Sequence, residues 1–317
     1  LKVLFFGTPA WAVPSLEALR AAGHEIVGVV SAPDAPVGRS RTPAAPPVKA
    51  RALELGLGPI LQPTSLRPAA AREELLARGA EVFVVVAYGR ILPGRLLDAP
   101  RFGAVNLHFS LLPRHRGASP VQTTLLRGDA EAGVSTMLMD RGLDEGPILL
   151  RRAAAIAPRE KAAALGARLA LVGAELLVET LAALADGTAR PTPQDGALAT
   201  LAPPLAKADG LLRWEWSAVE IERRTRAFDP WPPVVCRGPK GTLRLLDVEA
   251  LAEAAPDGAA PGLVLRRAGE AADAVAGDGR LLRIHAVQPA GSKPMSAAAA
   301  LAGRRLALGE ALGDGEP

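Results

Sequence analysis

The chain is short of the residues that build many kinds of site. It has one cysteine, Cys236, in 317 residues, so no internal disulfide can form, and no Cys/His cluster has zinc-ligand spacing. A structural metal is not expected, and a reducing compartment fits. Apolar residues make up 49%, yet no run of about 18 is free of charge, which excludes a spanning helix. The opening, Leu1 to Phe6, leads straight into a glycine turn, unlike a signal peptide. A soluble, unexported, cytoplasmic protein is expected. Charge of one sign is scarcely in excess: 37 basic against 33 acidic residues leave +4, which permits a nucleic-acid partner without requiring one and confines any phosphate-binding surface to a patch. Aromatics are only 3%, so a cluster of them is worth following.

The length is more than one core usually takes; at about 150 residues per domain, two are expected. Lys2 to Phe6 is an apolar run ending in Gly7-Thr-Pro9, after which Trp11, Leu16 and Leu19 recur at helical spacing until Gly23. Ile26 to Val30 is the next strand, so the opening is β-α-β and predicts a parallel sheet. Gly7 lacks the further glycines of a dinucleotide fingerprint, which makes nicotinamide binding unsupported and leaves a tight turn that brings backbone close to a ligand. Val82 to Ala87 is β-branched and uninterrupted, the mark of a central parallel strand. Ala118 to Leu126 predicts a helix, Gly133 to Met139 a strand, and Lys161 to Leu184 a long helix closed by Asp186-Gly187. Pro191 to Pro204 reads as a proline-rich linker. Beyond it, short apolar segments at 234–237, 242–248, 262–265, 274–276 and 281–286 argue for a small barrel.

The stretch that organises the rest is Ala104 to Gly117, AVNLHFSLLPRHRG, followed about 30 residues later by Asp144 in DRGLDEG. Gly103 to Phe109 predicts a buried strand, and residues two apart share a face, so Asn106 and His108 point together. Pro113 and Gly117 end the strand, placing the pair at its carboxyl end, where open α/β sheets carry their sites. An Asn amide and a protonated His can hold an oxygen that turns negative in a tetrahedral intermediate. A carboxylate such as Asp144 would favour the charged His and could take an amine proton. Ser110 has no nucleophile-elbow glycines around it, so direct transfer to an amine is simpler than an acyl-enzyme. On spacing alone a second reading stays open, with Asn106 and His108 as satisfied polar groups and Asp144 as a turn residue.

Asn106-x-His108-x-Ser110-Leu-Leu-Pro113, then Arg114-x-Arg116-Gly117-Ala118-x-Pro120 and Gly142-Leu-Asp144-x-Gly146, resemble the signature of the folate-dependent formyltransferases. More narrowly the chain is similar to the branch of that family that acts on charged initiator tRNA. Supporting pieces run from Gly7-Thr-Pro9 through Pro33-Asp34-x-Pro36-x-Gly38-Arg39, Val85-Val-Ala-Tyr88-Gly89-x-Ile-Leu-Pro93 and Arg226-Ala-Phe228-x-Pro230-Trp231-Pro232 to Gln288-Pro-Ala-Gly291-x-Lys293-x-Met295.

The resemblance implies an α/β fold: a Rossmann-like parallel-sheet formyltransferase domain over 1–190, a linker over 191–205, and a small OB-like β-barrel domain over 206–317. It implies Asn106, His108 and Asp144 as the catalytic trio and 10-formyltetrahydrofolate as formyl donor, without a metal. Tyr88, Gly89, Arg90, Ile91 and Leu92, with Ser110, Leu111, Leu112, Pro113 and Gly142, would bind the folate. Ile91 and Leu92 would cover the faces of its pterin; from the residues alone they are equally well core. The loop at about 32–47 would enter the acceptor arm, with Arg39 and Arg41 touching tRNA, joined by Lys207, Arg226 and Lys293. A monomer is expected. The chain departs from the family pattern at Ala35, Ala132, Leu201 and Pro204. Trp214, Trp216, Phe228 and Trp231 could stack on bases or pack a core, and Arg223, Arg224, Lys240, Arg304 and Arg305 are further phosphate candidates. The rival functions are formyl transfer to an amino sugar nucleotide, and RNA binding by an inactive relative.

Overall fold

The computed structural model describes residues 1–36 and 42–316. The chain divides into two compact units, one of 1–120, 131–155 and 166–203, the other of 121–130, 156–165 and 204–317.

Among the described residues, the first unit is built on a seven-stranded sheet in the spatial order Ile148–Ala155, Glu131–Leu138, Ala104–His108, Val82–Val86, Lys2–Gly7, Glu25–Val30, Ile60–Leu61. The last five run parallel. Glu131–Leu138 runs antiparallel to both its neighbours, Ala104–His108 and Ile148–Ala155, so the sheet is mixed rather than wholly parallel. A direct return from Glu131–Leu138 into Ile148–Ala155 needs only a loop, whereas parallel neighbours need a crossover. Val82–Val86 is buried at every residue, as a central strand covered on both faces must be.

One face of the sheet collects Leu4, Phe6, Phe83, Val85 and Ala104, packed with Tyr88, Leu92, Leu96 and Leu97. Phe6 lies 5.3 Å from Phe83 and 5.4 Å edge-on to Tyr88, centroid to centroid. In register with Phe83 and Val85 stand Ala104 and Asn106, so the polar pair continues the line of this core at its carboxyl end. The other face carries Leu107, packed so close to Gly173 of the Ala162–Ala185 helix that an added Cβ would lie 2.7 Å from the leucine. That helix is apolar and small on this side, which lets it sit directly behind the site strand.

The stretch expected to be a linker is tied down at both ends. Thr192 exchanges backbone hydrogen bonds with Ile148, and Leu201–Ala202 pairs in parallel with Arg116–Gly117. The first unit therefore runs on to Pro203. The base of the expected acceptor-arm loop is a short ribbon of Ala35–Pro36 against Pro43–Ala44; Arg39 and Arg41 lie outside the described residues.

The second unit holds, among the described residues, a six-stranded antiparallel sheet ordered Val235–Gly238, Gly241–Ala254, Arg280–Pro289, Ala271–Val275, Val264–Ala268, with Met295–Ser296 on Arg280–Pro289. The chain from Gly309 to Gly313 bonds Val264 and Gly262 near one edge and Arg237 on the other. It closes the sheet into a barrel and removes the open edges. The Ala218–Ala227 helix packs on it, capped by Ser217, whose hydroxyl accepts from the Glu220 amide. Trp214 and Phe228 are core residues of this unit, whereas Trp231 is 51% exposed. Trp216 carries the Arg224 guanidinium 3.8 Å above its ring.

Candidate active site

Asn106, His108 and Asp144 meet at one point. Asn106 and His108 leave the same face of Ala104–His108, as period-two geometry requires, and both are buried. Asp144 arrives from the loop after Glu131–Leu138. That strand ends beside Ala104, at the far end of the site strand, so the loop has to double back to bring the carboxylate up. It does so with Asp144 at φ 54°. Asp144 Oδ1 lies 3.5 Å from Asn106 Nδ2, and Oδ2 lies 3.6 Å from His108 Nδ1. Oδ2 also accepts the Gly117 amide at 2.9 Å.

The imidazole's tautomer follows from its other nitrogen. His108 Nε2 is 2.9 Å from the carbonyl oxygen of His115; a carbonyl can only accept, so Nε2 carries the hydrogen. Nδ1 is left facing the carboxylate, too far for a hydrogen bond. Burial lowers the His108 pKa below its ordinary value, against the opposing pull of the Asp144 carboxylate and the His115 carbonyl. Loss of water thus favours the neutral ring, and Nδ1 is the nitrogen that faces into the site. The charged His108 expected from sequence is thus disfavoured in the free protein, because loss of water around the ring outweighs a carboxylate that does not touch it.

The other expected residues divide. Tyr88 is buried against Phe6, and burial pushes its phenol up. Gly89 turns the chain at φ 78°. Arg90 donates back to the carbonyls of Pro63 and Thr64, so it braces a loop. Leu92 is core, whereas Ile91 is 88% exposed and is the one of the pair available to cover a ligand. Ser110 is buried and its hydroxyl donates to the Arg114 carbonyl at 2.6 Å, which commits it to shaping the loop. Leu111 lies over Gly133, and Leu112, fully buried, gives its amide to Ser135 Oγ at 3.1 Å ahead of Pro113. Gly142 is exposed in the Asp144 loop, its amide held by Asp140. In the second unit Lys207 and Lys293 are exposed, whereas Arg226 pairs with Glu222 at 3.3 Å.

Three residues not expected from sequence complete the centre. Gln194 donates to the carbonyls of Asp144 and Gly146 at 2.8 and 2.7 Å and accepts from Arg116. Thr200 Oγ1 accepts the His115 amide at 2.9 Å. Gly117 supplies the amide on Asp144. Only Gly117 stood inside a quoted motif; the other two sit in a proline-rich stretch with nothing local to mark them. Among the described residues, no group of three or more His, Cys, Asp or Glu could hold a metal ion, and no helix is long and apolar enough to cross a membrane.

The formyl transferase family model matches residues 1–181, and the model of the formyl transferase C-terminal domain matches 204–305. A methionyl-tRNA formyltransferase of Roseiflexus sp. (strain RS-1) is 45% identical over 99% of this chain and 96% of its own length. The chain belongs to the methionyl-tRNA formyltransferase family. Another member, from Myxococcus xanthus (strain DK1622), is 46% identical over 97% of this chain and 96% of its own. The fold extends further. An N-formyltransferase from Helicobacter canadensis, solved in complex with folinic acid and dTDP-3-aminofucose, superposes with a TM-score of 0.64 at 16% identity, over 90% of this chain and 98% of that one. Among formyltransferases so distant in sequence, what this chain shares is the architecture.

Proposed function

We propose that this protein transfers the formyl group of 10-formyltetrahydrofolate to the α-amine of methionine on charged initiator tRNA, in the cytoplasm, with Asn106, His108 and Asp144 as its catalytic residues. The observation that carries the chemistry is the meeting of an amide donor, an imidazole and a carboxylate at one buried point. The name of the acceptor rests on membership of the family.

The residues divide the work as follows. As the amine nitrogen bonds to the formyl carbon, the carbonyl oxygen becomes an oxyanion and the nitrogen becomes cationic. Asn106 Nδ2–H donates to that oxygen; one such donor is typically worth about 3 kcal/mol of barrier. His108 Nδ1 takes the proton the new ammonium must lose. Asp144, 3.6 Å away, stabilises the imidazolium that results. When the bond from the formyl carbon to N10 of the folate breaks, the Nδ1 proton passes to N10. No net proton is gained or lost, and no covalent enzyme intermediate is needed, in keeping with a Ser110 hydroxyl already engaged.

The trio does not choose the amine. The test is a parallel single-turnover assay of charged initiator tRNA, free methionine and an amino sugar nucleotide with the same formyl donor. Formylation of the tRNA alone, falling steeply with salt, is expected from multiple phosphate contacts. Arg39→Ala with Arg41→Ala should weaken use of the tRNA by roughly 10-fold or more, at about 1–2 kcal/mol per charged contact. Preference for the sugar nucleotide, or indifference to both salt and the double change, would overturn the assignment.

A further inference from the structure

The mechanism uses three side chains, but two of them are held in place by a part of the chain that takes no part in it. We propose that the stretch from Thr192 to Ala202 is a positioning strap for the formyl-transfer centre, in which Gln194 fixes Asp144 and Thr200 fixes the carbonyl that anchors His108. This rests on the formyl-transfer reading above.

Two residues at the centre are strained. Asp144 and His115 both sit in the left-handed region, at φ 54° and 59°. For a residue with a Cβ that conformation is unfavourable by roughly 1–2 kcal/mol, and it persists where the surroundings over-determine it. Each of these residues touches the trio: Asp144 belongs to it, and His115 offers the carbonyl that accepts His108 Nε2–H.

In both cases one segment supplies a side chain that holds the conformation. Gln194 spans the Asp144 turn, donating to the carbonyls on either side of Glu145 at 2.8 and 2.7 Å. Its oxygen accepts Arg116 Nε and Nη2 at 3.1 and 2.8 Å, which fixes the amide's orientation and leaves its NH2 no other way to face. Thr200 holds His115 from two sides: Oγ1 accepts the amide at 2.9 Å and lies 3.2 Å from His115 Nδ1. Between and beyond these side chains the backbone is pinned, by Thr192 to Ile148 and by Leu201–Ala202 to Arg116–Gly117. Gly117 in turn gives its amide to Asp144. The strap thus reaches Asp144 by two routes and His108 by one.

A stretch that merely packed would need none of this convergence. The consequence is directional. Without Thr200 Oγ1 the His115 carbonyl drifts, and without Gln194 the Asp144 carboxylate drifts; either change removes a group that favours the protonated ring. Both should weaken His108 as a base and misplace it by a fraction of an ångström, and misplacements of this order are expensive in rate.

The experiment compares Gln194→Met and Thr200→Val with Thr200→Ser, which keeps the hydroxyl, in the full chain. Two readouts are taken: single-turnover formylation of charged initiator tRNA, and the titration of the His108 ring followed by NMR. Gln194→Met and Thr200→Val should each slow transfer by about 10-fold or more, leave the apparent KM for the tRNA within about twofold, and move the ring's midpoint to lower pH. Thr200→Ser should restore both readouts. If Gln194→Met and Thr200→Val fold, turn over at the parental rate and leave the ring titration where it was, the strap is no more than packing. If the parental protein transfers no formyl group at all, the functional reading fails, and the ring titration alone still decides whether the strap positions His108.

Discussion

His108 donates its Nε2 hydrogen to the carbonyl oxygen of His115 at 2.9 Å, seven residues along the chain. That single bond settles which nitrogen is free to act. A carbonyl oxygen can only accept, so Nε2 is a donor and Nδ1 is the nitrogen left to face Asp144. With Nδ1 free and Asp144 Oδ2 3.6 Å away, the pair is spaced to receive a proton rather than already sharing one.

The first prediction is the direction of the His108 titration. Burial lowers it, while Asp144 and the His115 carbonyl oppose the shift and the neighbouring His115 ring adds to it. Followed by NMR in the free protein, the ring should titrate below the ordinary midpoint of about 6.5, and Asp144→Asn should move it lower still. The linkage has a definite sign. Between that ordinary value and the folded midpoint the unfolded chain binds the proton first, so this residue makes stability decline as pH falls through the interval. A ring still charged at pH 7 would restore the oxyanion role expected from sequence and remove the base role given to Nδ1.

The sheet and the face of the trio were legible because their signals are local. Val82–Val86 and Lys2–Gly7 announce themselves as apolar runs, and Asn106 and His108 share a face by period two. Strand direction is not a local property, which is why the antiparallel Glu131–Leu138 and Ile148–Ala155 pair was not foreseen. Asp144 was placed by a motif, and nothing in the spacing said that its loop would double back. Gln194 and Thr200 act across 50 and 85 residues, and a proline-rich stretch gives no pattern from which such contacts can be read. Leu201, an apparent departure from the family, serves by its backbone, with its side chain 68% exposed. Arg90, expected among the folate-binding residues, donates to the Pro63 and Thr64 carbonyls 27 and 26 residues away, a contact no local pattern announces.

The second prediction concerns Cys236, the chain's single cysteine. It lies in the barrel, 1% exposed, and burial, with Asp314 nearby, pushes its thiol up to about 12. The thiolate is the reactive form, so at pH 8 the folded protein should be inert to a thiol reagent that labels the denatured chain within minutes. Labelling should therefore report opening of the second unit. Full labelling under native conditions, at the rate of a small thiol, would contradict the burial.

The third prediction turns on a charge inside the same barrel. Asp273 is fully buried in the Ala271–Val275 strand, directly opposite Arg283 on one neighbouring strand and Arg266 on the other. The carboxylate accepts from Arg266 Nε at 2.8 Å and from Arg283 Nε and Nη2 at 2.8 and 3.1 Å. Burial alone pushes the Asp273 carboxyl up, but the hydrogen bonds from Arg283 and Arg266 more than offset it and hold the group below its usual range. Both guanidiniums keep part of their hydration, with side chains 46% and 30% exposed, so the cost of removing the carboxylate is smaller than for a wholly buried triad. Asp273→Asn should destabilise the second unit by about 2 kcal/mol at pH 7, read as a lower denaturation midpoint with an unchanged denaturant slope. Because the folded pKa is depressed, the parental contribution is fully present above the unfolded value of about 3.9 and is lost as pH falls through the folded value beneath it. The gap between parent and variant should therefore be constant from neutral pH down to about pH 5 and close in stronger acid. A gap that persists unchanged at pH 2, or a variant as stable as the parent at pH 7, would mean that the two arginines and not the carboxylate hold the three strands together.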